Sequence, residues 1–253
     1  MQRHFIDIST QLESWYQTES GQYLLNTETE LVNRQIDRFF GHHLVQIGIS
    51  SRYPLYQSSP INHKLTIGVT AGSELITDLS ELPFDSDSLD IIILHHSLEF
   101  YNKPHHLLRE AQRCIAAQGR LIIVGFNPLS LLGVLAQTLG RLPRSRWKQK
   151  TISRKRLGDW LALLGFDIRA VHYGYSLPPL QSDYLRGKMS AVDQYMTSKN
   201  LPLGGVFVIT ASKQLSTLTP IRPRWNRVRA PLIGLTASRT ATANLPRSKE
   251  VGV

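Results

Sequence analysis

Cysteine is nearly absent from this chain of 253 residues, because Cys114 is the only one. A monomer therefore holds no disulfide and no metal site made of several thiolates. Long hydrophobic runs are also lacking: the longest, 129–136, is broken by Ser130 and Gly133 and is too short to span a bilayer. The start of the chain, MQRHFIDIST, has no apolar segment of the kind that secretory signals carry. These absences predict a cytoplasmic protein without a transmembrane segment.

Acidic residues are scarce relative to basic ones. The chain has 29 Lys and Arg against 19 Asp and Glu, a net charge of +10. Much of the excess lies in residues 214–253, which are rich in Arg, Ser, Thr, Ala and Pro, a composition typical of a disordered basic tail. We therefore expect three parts: a helical N-terminal segment at 1–40, an α/β domain at 41–213 and the basic tail at 214–253. The tail is a candidate for contact with an anionic partner.

The stretch from Asp78 to Gly125 organises the rest of the chain. Ile91–Leu94 and Leu121–Val124 are short, β-branched apolar runs, the pattern of parallel strands buried on both faces. Residues 104–117 between them place Leu and Ala side chains on one helical face, with a proline in the first turn and Gly119 as the C-terminal cap. The stretch is therefore predicted to be a right-handed strand–helix–strand unit.

The same residues resemble a known family. DLSELPF at 78–84 is followed by Leu89 and Asp90, by His-x-Leu-Glu after the strand, and by a P-x-x-x-L-x-E-x-x-R helix that begins at Pro104. This pattern resembles the class I S-adenosylmethionine-dependent methyltransferases, type 11 subgroup, over roughly residues 44–210. The resemblance implies a Rossmann-like α/β fold with a mostly parallel seven-stranded sheet, one antiparallel strand and helices on both faces. It implies strands near 44–48, 63–69, 74–77, 90–95, 120–125, 166–173 and 206–211.

The resemblance also implies a site for S-adenosyl-L-methionine. Gly48 ends the first strand, where the backbone of the family approaches the cofactor, and Asp78 and Leu79 match the positions that contact adenine. His95 ends the fourth strand, and ligands of doubly wound sheets bind outside the carboxyl ends of strands. We therefore expect Gly48, Asp78, Leu79 and His95 to line the cofactor site. Asp78 also has the spacing to Glu81 of a helix capping box.

Three departures from the family pattern put that site in question. Gln46 replaces the acid of the first-strand motif, Gly48 is its only glycine, and no acid ends the second strand to bind ribose. About thirty residues separate Gly48 from Asp78, too few for two crossover helices, so one helix is predicted to be short or missing.

No metal site and no catalytic residue is predicted. His95 and His96 are neighbours on a strand, so their side chains are expected to point apart, and no third ligand follows at a metal-site spacing. Cys114 lies mid-helix beside an isoleucine and is expected to be inert.

Two functions remain open. The first is a methyltransferase acting on a small molecule, RNA or a protein, with the cofactor supplying the reactivity. The second is a catalytically degenerate relative that binds RNA, a protein or an anionic surface through its basic segments, including the Trp-bearing run at 141–154. A nicotinamide dehydrogenase is disfavoured because no G-x-G-x-x-G motif is present. A monomer or a weak dimer is expected.

Overall fold

The computed structural model describes residues 2–48, 52–68, 74–128, 130, 152–175 and 195–214. Five helices and seven strands carry the fold. The helices are α1 (Gln2–Tyr16), α2 (Glu19–Ile36), α3 (Ser97–Phe100), α4 (Pro104–Cys114) and α5 (Arg154–Leu163). The strands are β1 (His43–Gly48), β2 (His63–Gly68), β3 (Leu75–Ile76), β4 (Leu89–His95), β5 (Ile115–Phe126), β6 (Phe166–Gly174) and β7 (Val206–Lys213).

All seven strands form one sheet, in the order β3-β2-β1-β4-β5-β7-β6. The first five strands of that order pair in parallel, whereas β7 is antiparallel to both β5 and β6. The predicted α/β class, the mostly parallel seven-stranded sheet and its antiparallel strand are therefore confirmed.

The central strands lie in the middle of the sheet because their residues are apolar on both faces. Ile91, Ile92, Ile93 and Leu94 are all at most 1% exposed, so β4 is covered on both faces. A strand without an alternating polar face is stable only where both faces are covered, which is the middle of a layered α/β fold. β4 accordingly lies between β1 and β5.

The N-terminal helices pack on the sheet. Thr18 begins α2, its hydroxyl accepting a hydrogen bond from the backbone N–H of Gly21. The apolar face of α2 reaches the far end of the sheet, where a Cβ on Gly174 of β6 would lie only 2.7 Å from Thr27 Cγ2. A glycine at that position lets the helix approach the strand backbone closely.

Two local predictions are wrong. α4 ends at Cys114 rather than at residue 117, because Ile115 pairs with Leu89 and residues 115–119 belong to β5, which places Gly119 in a strand. Asp78 begins no helix. Its Oδ1 atom accepts a hydrogen bond from the backbone N–H of Ser80 at 3.0 Å, which is an Asx turn.

The crossover between β1 and β2 contains no helix in its described part, residues 52–62. The expectation of a short or missing helix therefore holds for this connection. Leu55 and Ile61 fill the space instead, at 1% and 2% exposure, and belong to the main core. The connection from β3 to β4, residues 77–88, is likewise turns rather than helix.

Some predictions fall on residues that the structure does not describe. These are most of the apolar and basic stretch at 129–151, the segment 176–194, and the basic tail from 215 onwards. The division into three parts therefore stays a prediction. Among the described residues, no helix is both long enough and apolar enough to cross a membrane.

Candidate functional site at the carboxyl edge of the sheet

The predicted cofactor residues follow neighbouring strands at one edge of the sheet. Gly48 at the end of β1 is the register partner of His95 at the end of β4, and Asp78 comes two residues after β3. Asp78 is exposed, whereas Leu79 and His95 are fully buried. The structure thus brings Gly48 and His95 side by side, and Asp78 and Leu79 follow the strand at the same edge. Their contact with a cofactor stays a prediction.

Gln46, which stands where the family has an acid, binds the chain that follows its own strand. Its amide nitrogen donates to the carbonyl of Tyr53 at 3.0 Å, and its amide oxygen accepts from the N–H of Leu55 at 2.8 Å. Gln46 is fully buried. An amide can donate and accept at once, which a carboxylate cannot, so glutamine suits these two contacts with the backbone.

A buried cluster lies at the end of β4, built from Tyr16, Glu28, His95, His96 and Glu99. The two carboxylate oxygens of Glu28 each contact one histidine: Oε2 lies 3.0 Å from His95 Nε2, and Oε1 lies 2.7 Å from His96 Nε2. Glu28, His95 and His96 have no solvent exposure. The expectation that the two histidines point apart is therefore wrong, because both contact Glu28.

The backbone at His96 explains this convergence. His96 has φ 52° and ψ 9°, the left-handed region that residues other than glycine rarely adopt. Successive side chains of a strand alternate between faces, and the left-handed residue breaks that alternation at the last position. His96 therefore turns its ring towards the same carboxylate that His95 contacts. Such a conformation costs about 1–2 kcal/mol, which the surrounding contacts must offset.

Further contacts hold the His96 ring in place. Its Nδ1 atom lies 2.9 Å from Glu99 Oε2, and the other oxygen of Glu99 accepts the backbone N–H of Phe126 at 2.6 Å. The Phe126 ring stacks on the His96 ring with centroids 4.1 Å apart and planes at 23°. His96 is thus fixed by two carboxylates and one aromatic ring.

Tyr16 brings α1 to the same place. Its hydroxyl lies 3.4 Å from His95 Nε2, and its ring stacks over the His95 ring at 6.2 Å between centroids. His95 Nδ1 and Ser97 Oγ are both buried without a hydrogen-bond partner among the described residues. Buried polar atoms without partners cost stability and are uncommon, so they draw attention to this edge of the sheet.

The charges of the cluster are set by burial and by one ion pair. Burial would raise the pKa of Glu28, but the charge on His96 and hydrogen bonds from both histidines lower that pKa to about 2. Burial works against a charged His96, yet Glu28 and Glu99 raise its pKa to about 10. Burial lowers the pKa of His95 and raises that of Glu99, and it raises the pKa of Tyr16 well above its ordinary value. One buried ion pair, Glu28 with His96, results.

The sequence and the fold both resemble known proteins. Residues 62–123, from just before β2 to within β5, match the family model of a type 11 methyltransferase domain. An S-adenosylmethionine-dependent methyltransferase from Thermotoga maritima superposes with a TM-score of 0.61 at 16% identity, covering 85% of this chain and 100% of that one. Residues 62–123 are thus similar to type 11 methyltransferase domains, and the chain has the Rossmann-like fold of class I methyltransferases.

Two other similar proteins show what this resemblance leaves open. The chain is 30% identical over 148 residues to the uncharacterised protein YafS of Escherichia coli K12, covering 58% of this chain and 62% of that protein's length. The cyclase SpnF also has this fold, with a TM-score of 0.51 at 16% identity over 74% of this chain and 80% of that one. A methyltransferase fold therefore does not by itself fix the reaction.

The sequence reasoning missed Glu28 and Tyr16, although one signal was available. Glu28 is flanked at helical spacing by Leu24, Leu31 and Val32, so a carboxylate stands on the apolar face of α2. A charged residue at such a position is buried and requires a partner. The partner His95 is 67 residues away in the sequence. A carboxylate on the apolar face of a helix therefore indicates that a buried site exists, but not which other residues form it.

Proposed function

We propose that this protein is an S-adenosylmethionine-dependent methyltransferase. The observation that carries the proposal is the shared carboxyl edge of β3, β2, β1 and β4, within a domain that matches the methyltransferase family model from β2 into β5. A doubly wound sheet binds its ligand in the crevice at this edge. The family implies S-adenosylmethionine as the cofactor.

The residues at this edge fit a cofactor of that kind in specific ways. Gly48 has no side chain to keep a ligand away from the end of β1. Asp78 is exposed, and its carboxylate, tied to the backbone only by the Asx turn at Ser80, suits the adenine amino group. Leu79 is fully buried, which fixes the backbone beside Asp78 and offers its N–H in a defined direction. His95 is buried beneath α1 and α2. We propose that it holds the floor of the crevice in place through its contacts with Tyr16 and Glu28.

The chemistry asks for binding and orientation rather than for a strong base. When bound, the sulfonium cofactor supplies the electrophilic methyl group. The protein holds the acceptor atom in line with that methyl group and excludes water. The buried cluster has no exposed proton-accepting atom, because Glu28, His95 and His96 are all closed to solvent. A general base for the acceptor is therefore not assigned to it.

Calorimetric titration of the full chain with S-adenosylmethionine and with S-adenosylhomocysteine tests the proposal. We expect binding at tens of micromolar or weaker, because no acid follows β2 to bind ribose. Asp78→Ala removes a charged acceptor and should weaken binding by about 1–3 kcal/mol, or about five- to 150-fold. Asp85→Ala, an exposed aspartate near the start of β4, is the matched control and should bind like the wild type.

The absence of binding would contradict the proposal. If the folded protein binds neither cofactor form at millimolar concentration, it is not a methyltransferase that uses S-adenosylmethionine. If both forms bind, S-adenosylhomocysteine production should be followed with small molecules, RNA and proteins offered in turn as acceptors.

A second function is favoured by one specific observation. The Gln46 side chain is bonded to Tyr53 and Leu55, at the positions where the family has an acid and a glycine-rich loop, and the described residues 52–62 of this connection form no helix. That geometry suits a degenerate relative that binds a partner without catalysis. Failure of both titrations together with binding of RNA, a protein or anionic vesicles would select this second function.

A further inference from the structure

We propose that Glu28, His95 and His96 form a buried binding site for a divalent transition metal, of the zinc type. Nothing in the fold or in the family match requires such a site. The proposal rests on the convergence of the side chains at the end of β4, and it is independent of whether the crevice binds a cofactor.

The first argument is the geometry of the donor atoms. One ligand atom from each of the three side chains lies within 4.8 Å of the others, and all three residues are fully buried. Zinc lies about 2.0–2.2 Å from imidazole nitrogen and carboxylate oxygen, which separates tetrahedral ligand atoms by about 3.4 Å. The observed contacts, 3.0 Å from His95 to one oxygen of Glu28 and 2.7 Å from His96 to the other, would need to lengthen by about 0.4 and 0.7 Å.

The second argument is that the backbone is bent to produce this convergence. The left-handed conformation of His96 costs free energy, and its structural effect is to aim both Nε2 atoms at one carboxylate. Strain at a non-glycine residue concentrates at functional sites, where the surrounding structure fixes it. An ordinary strand end would have placed the two rings on opposite faces of the sheet.

The third argument is the contact behind the ligand. Metal-bound histidines donate their other ring N–H to a carboxylate or carbonyl, which fixes the tautomer and the ring orientation. His96 Nδ1 has such a partner in Glu99, and Glu99 is itself held by the backbone N–H of Phe126. The charges also balance. A divalent metal ion would replace the proton on His96, and the two negative charges of Glu28 and Glu99 would offset its charge of +2.

Tyr16 supplies a fourth donor atom, its hydroxyl oxygen, beside the three ligands. Its hydroxyl lies 3.4 Å from His95 Nε2, the separation expected between two ligands of one tetrahedral ion. With four side-chain positions and no exposed one, the site has the closed form of a structural metal site rather than the open form of a catalytic one. The two imidazole donors favour zinc over calcium or magnesium, which prefer all-oxygen sites.

The consequence would be structural. A metal at this position joins α1, α2 and the end of β4 through one ion, and so fixes the N-terminal helices over the carboxyl edge of the sheet. Because an unfolded chain holds no preformed site, the free energy of metal binding would add to the free energy of unfolding.

The experiment measures metal content and stability of the full chain. The protein is produced with added zinc, dialysed and analysed by elemental mass spectrometry, and we expect about one zinc per chain. Re-addition of zinc to chelator-treated protein, at a hundredfold excess over its dissociation constant, should raise Tm by about 5–10 °C. Substitution with Co²⁺ should give the visible absorption of a tetrahedral site.

Two variants on the same helix separate this site from adventitious binding. Glu28→Gln removes a ligand at nearly constant volume and should lose the bound metal. Glu30→Gln alters an exposed carboxylate that pairs with Arg34 on the surface of α2 and should keep it. Both variants are checked for folding by circular dichroism, and the wild-type titrations carry the test if Glu28→Gln does not fold.

Two outcomes would overturn the proposal. The first is a folded wild-type protein that takes up less than about 0.1 equivalents of zinc, cobalt, iron or manganese, with Tm unaffected by chelator and metal. The cluster would then be a buried proton-bearing ion pair only. The second is a folded Glu28→Gln protein that retains one equivalent of metal, which would place the metal elsewhere.

Discussion

Removal of the Glu99 carboxylate should be among the most destabilising single changes in this domain. Glu99 accepts hydrogen bonds from two donors, the buried Nδ1–H of His96 at 2.9 Å and the partly buried backbone N–H of Phe126 at 2.6 Å. A buried donor that loses its acceptor costs about 1–3 kcal/mol. Glu99→Ala should therefore be destabilising by at least about 1–3 kcal/mol from the fully buried His96 donor, and by more where water does not reach the N–H of Phe126.

The conservative variant refines this estimate. Glu99→Gln keeps one acceptor oxygen but presents an NH₂ group to the other donor, so about 1–3 kcal/mol should be lost. The expectation holds with or without a metal, because His96 donates through Nδ1 in both states. Glu81→Ala, at an exposed position in the turn before β4, is the control and should change stability by no more than about 0.5 kcal/mol.

Urea unfolding followed by circular dichroism measures these differences. The midpoint should fall while the slope m stays constant, which indicates a change in stability rather than in the unfolded state. A loss below about 0.5 kcal/mol for Glu99→Ala would refute the reasoning, because it would mean that water or another group satisfies both donors.

Three further predictions follow from other buried groups. In chelator-treated protein, the raised pKa of His96, about 10, adds stability that is fully present below pH 6.5 and lost as the pH rises through 10. The lowered pKa of Glu28, about 2, adds stability that is present above pH 4.5 and lost as the pH falls through 2. Unfolding measured across this range should show both losses, and a flat profile would contradict the ion pair. Cys114 is fully buried and burial raises its thiol pKa, so a thiol reagent should react only after unfolding, and rapid labelling of native protein would disprove this. Gln46→Glu replaces the donor to the Tyr53 carbonyl by an acceptor and should cost about 1–3 kcal/mol by urea unfolding; an unchanged midpoint would show that the amide contact is not needed.

The strands could be predicted from the sequence because their signals are local. Ile91–Leu94 and Leu121–Val124 lie inside β4 and β5, and the expected strands differ from the observed ones by few residues, except at the start of β5. That exception has a non-local cause. The backbone N–H groups of Asp87 and Ser88 donate to the carbonyls of Arg113 and Cys114, and this pairing ends α4 earlier than its own sequence indicates.

The buried cluster could not be assembled in advance for two physical reasons. The partners of His95 and His96 come from α1 and α2, and a helix face does not reveal which strand end it will cover. The left-handed backbone of His96 is imposed by tertiary contacts on a residue whose own preference is different. Alternation along a strand therefore gave the wrong direction for this side chain.

The cluster and the crevice are neighbours, and their contacts imply that they are coupled. Tyr16 lies edge-on to Tyr53 with ring centroids 5.3 Å apart, and the carbonyl of Tyr53 accepts the Gln46 amide on the strand that ends at Gly48. A metal that fixes Tyr16 and His95 would thus order the chain beside Gly48 without touching a cofactor. Coupling between two binding sites is reciprocal in free energy, so the same factor must appear in both directions. We expect chelator-treated protein to bind S-adenosylhomocysteine more weakly, and the cofactor to tighten zinc binding by an equal factor, both measured by calorimetry. Equal cofactor affinity with and without zinc would show that the two sites act independently.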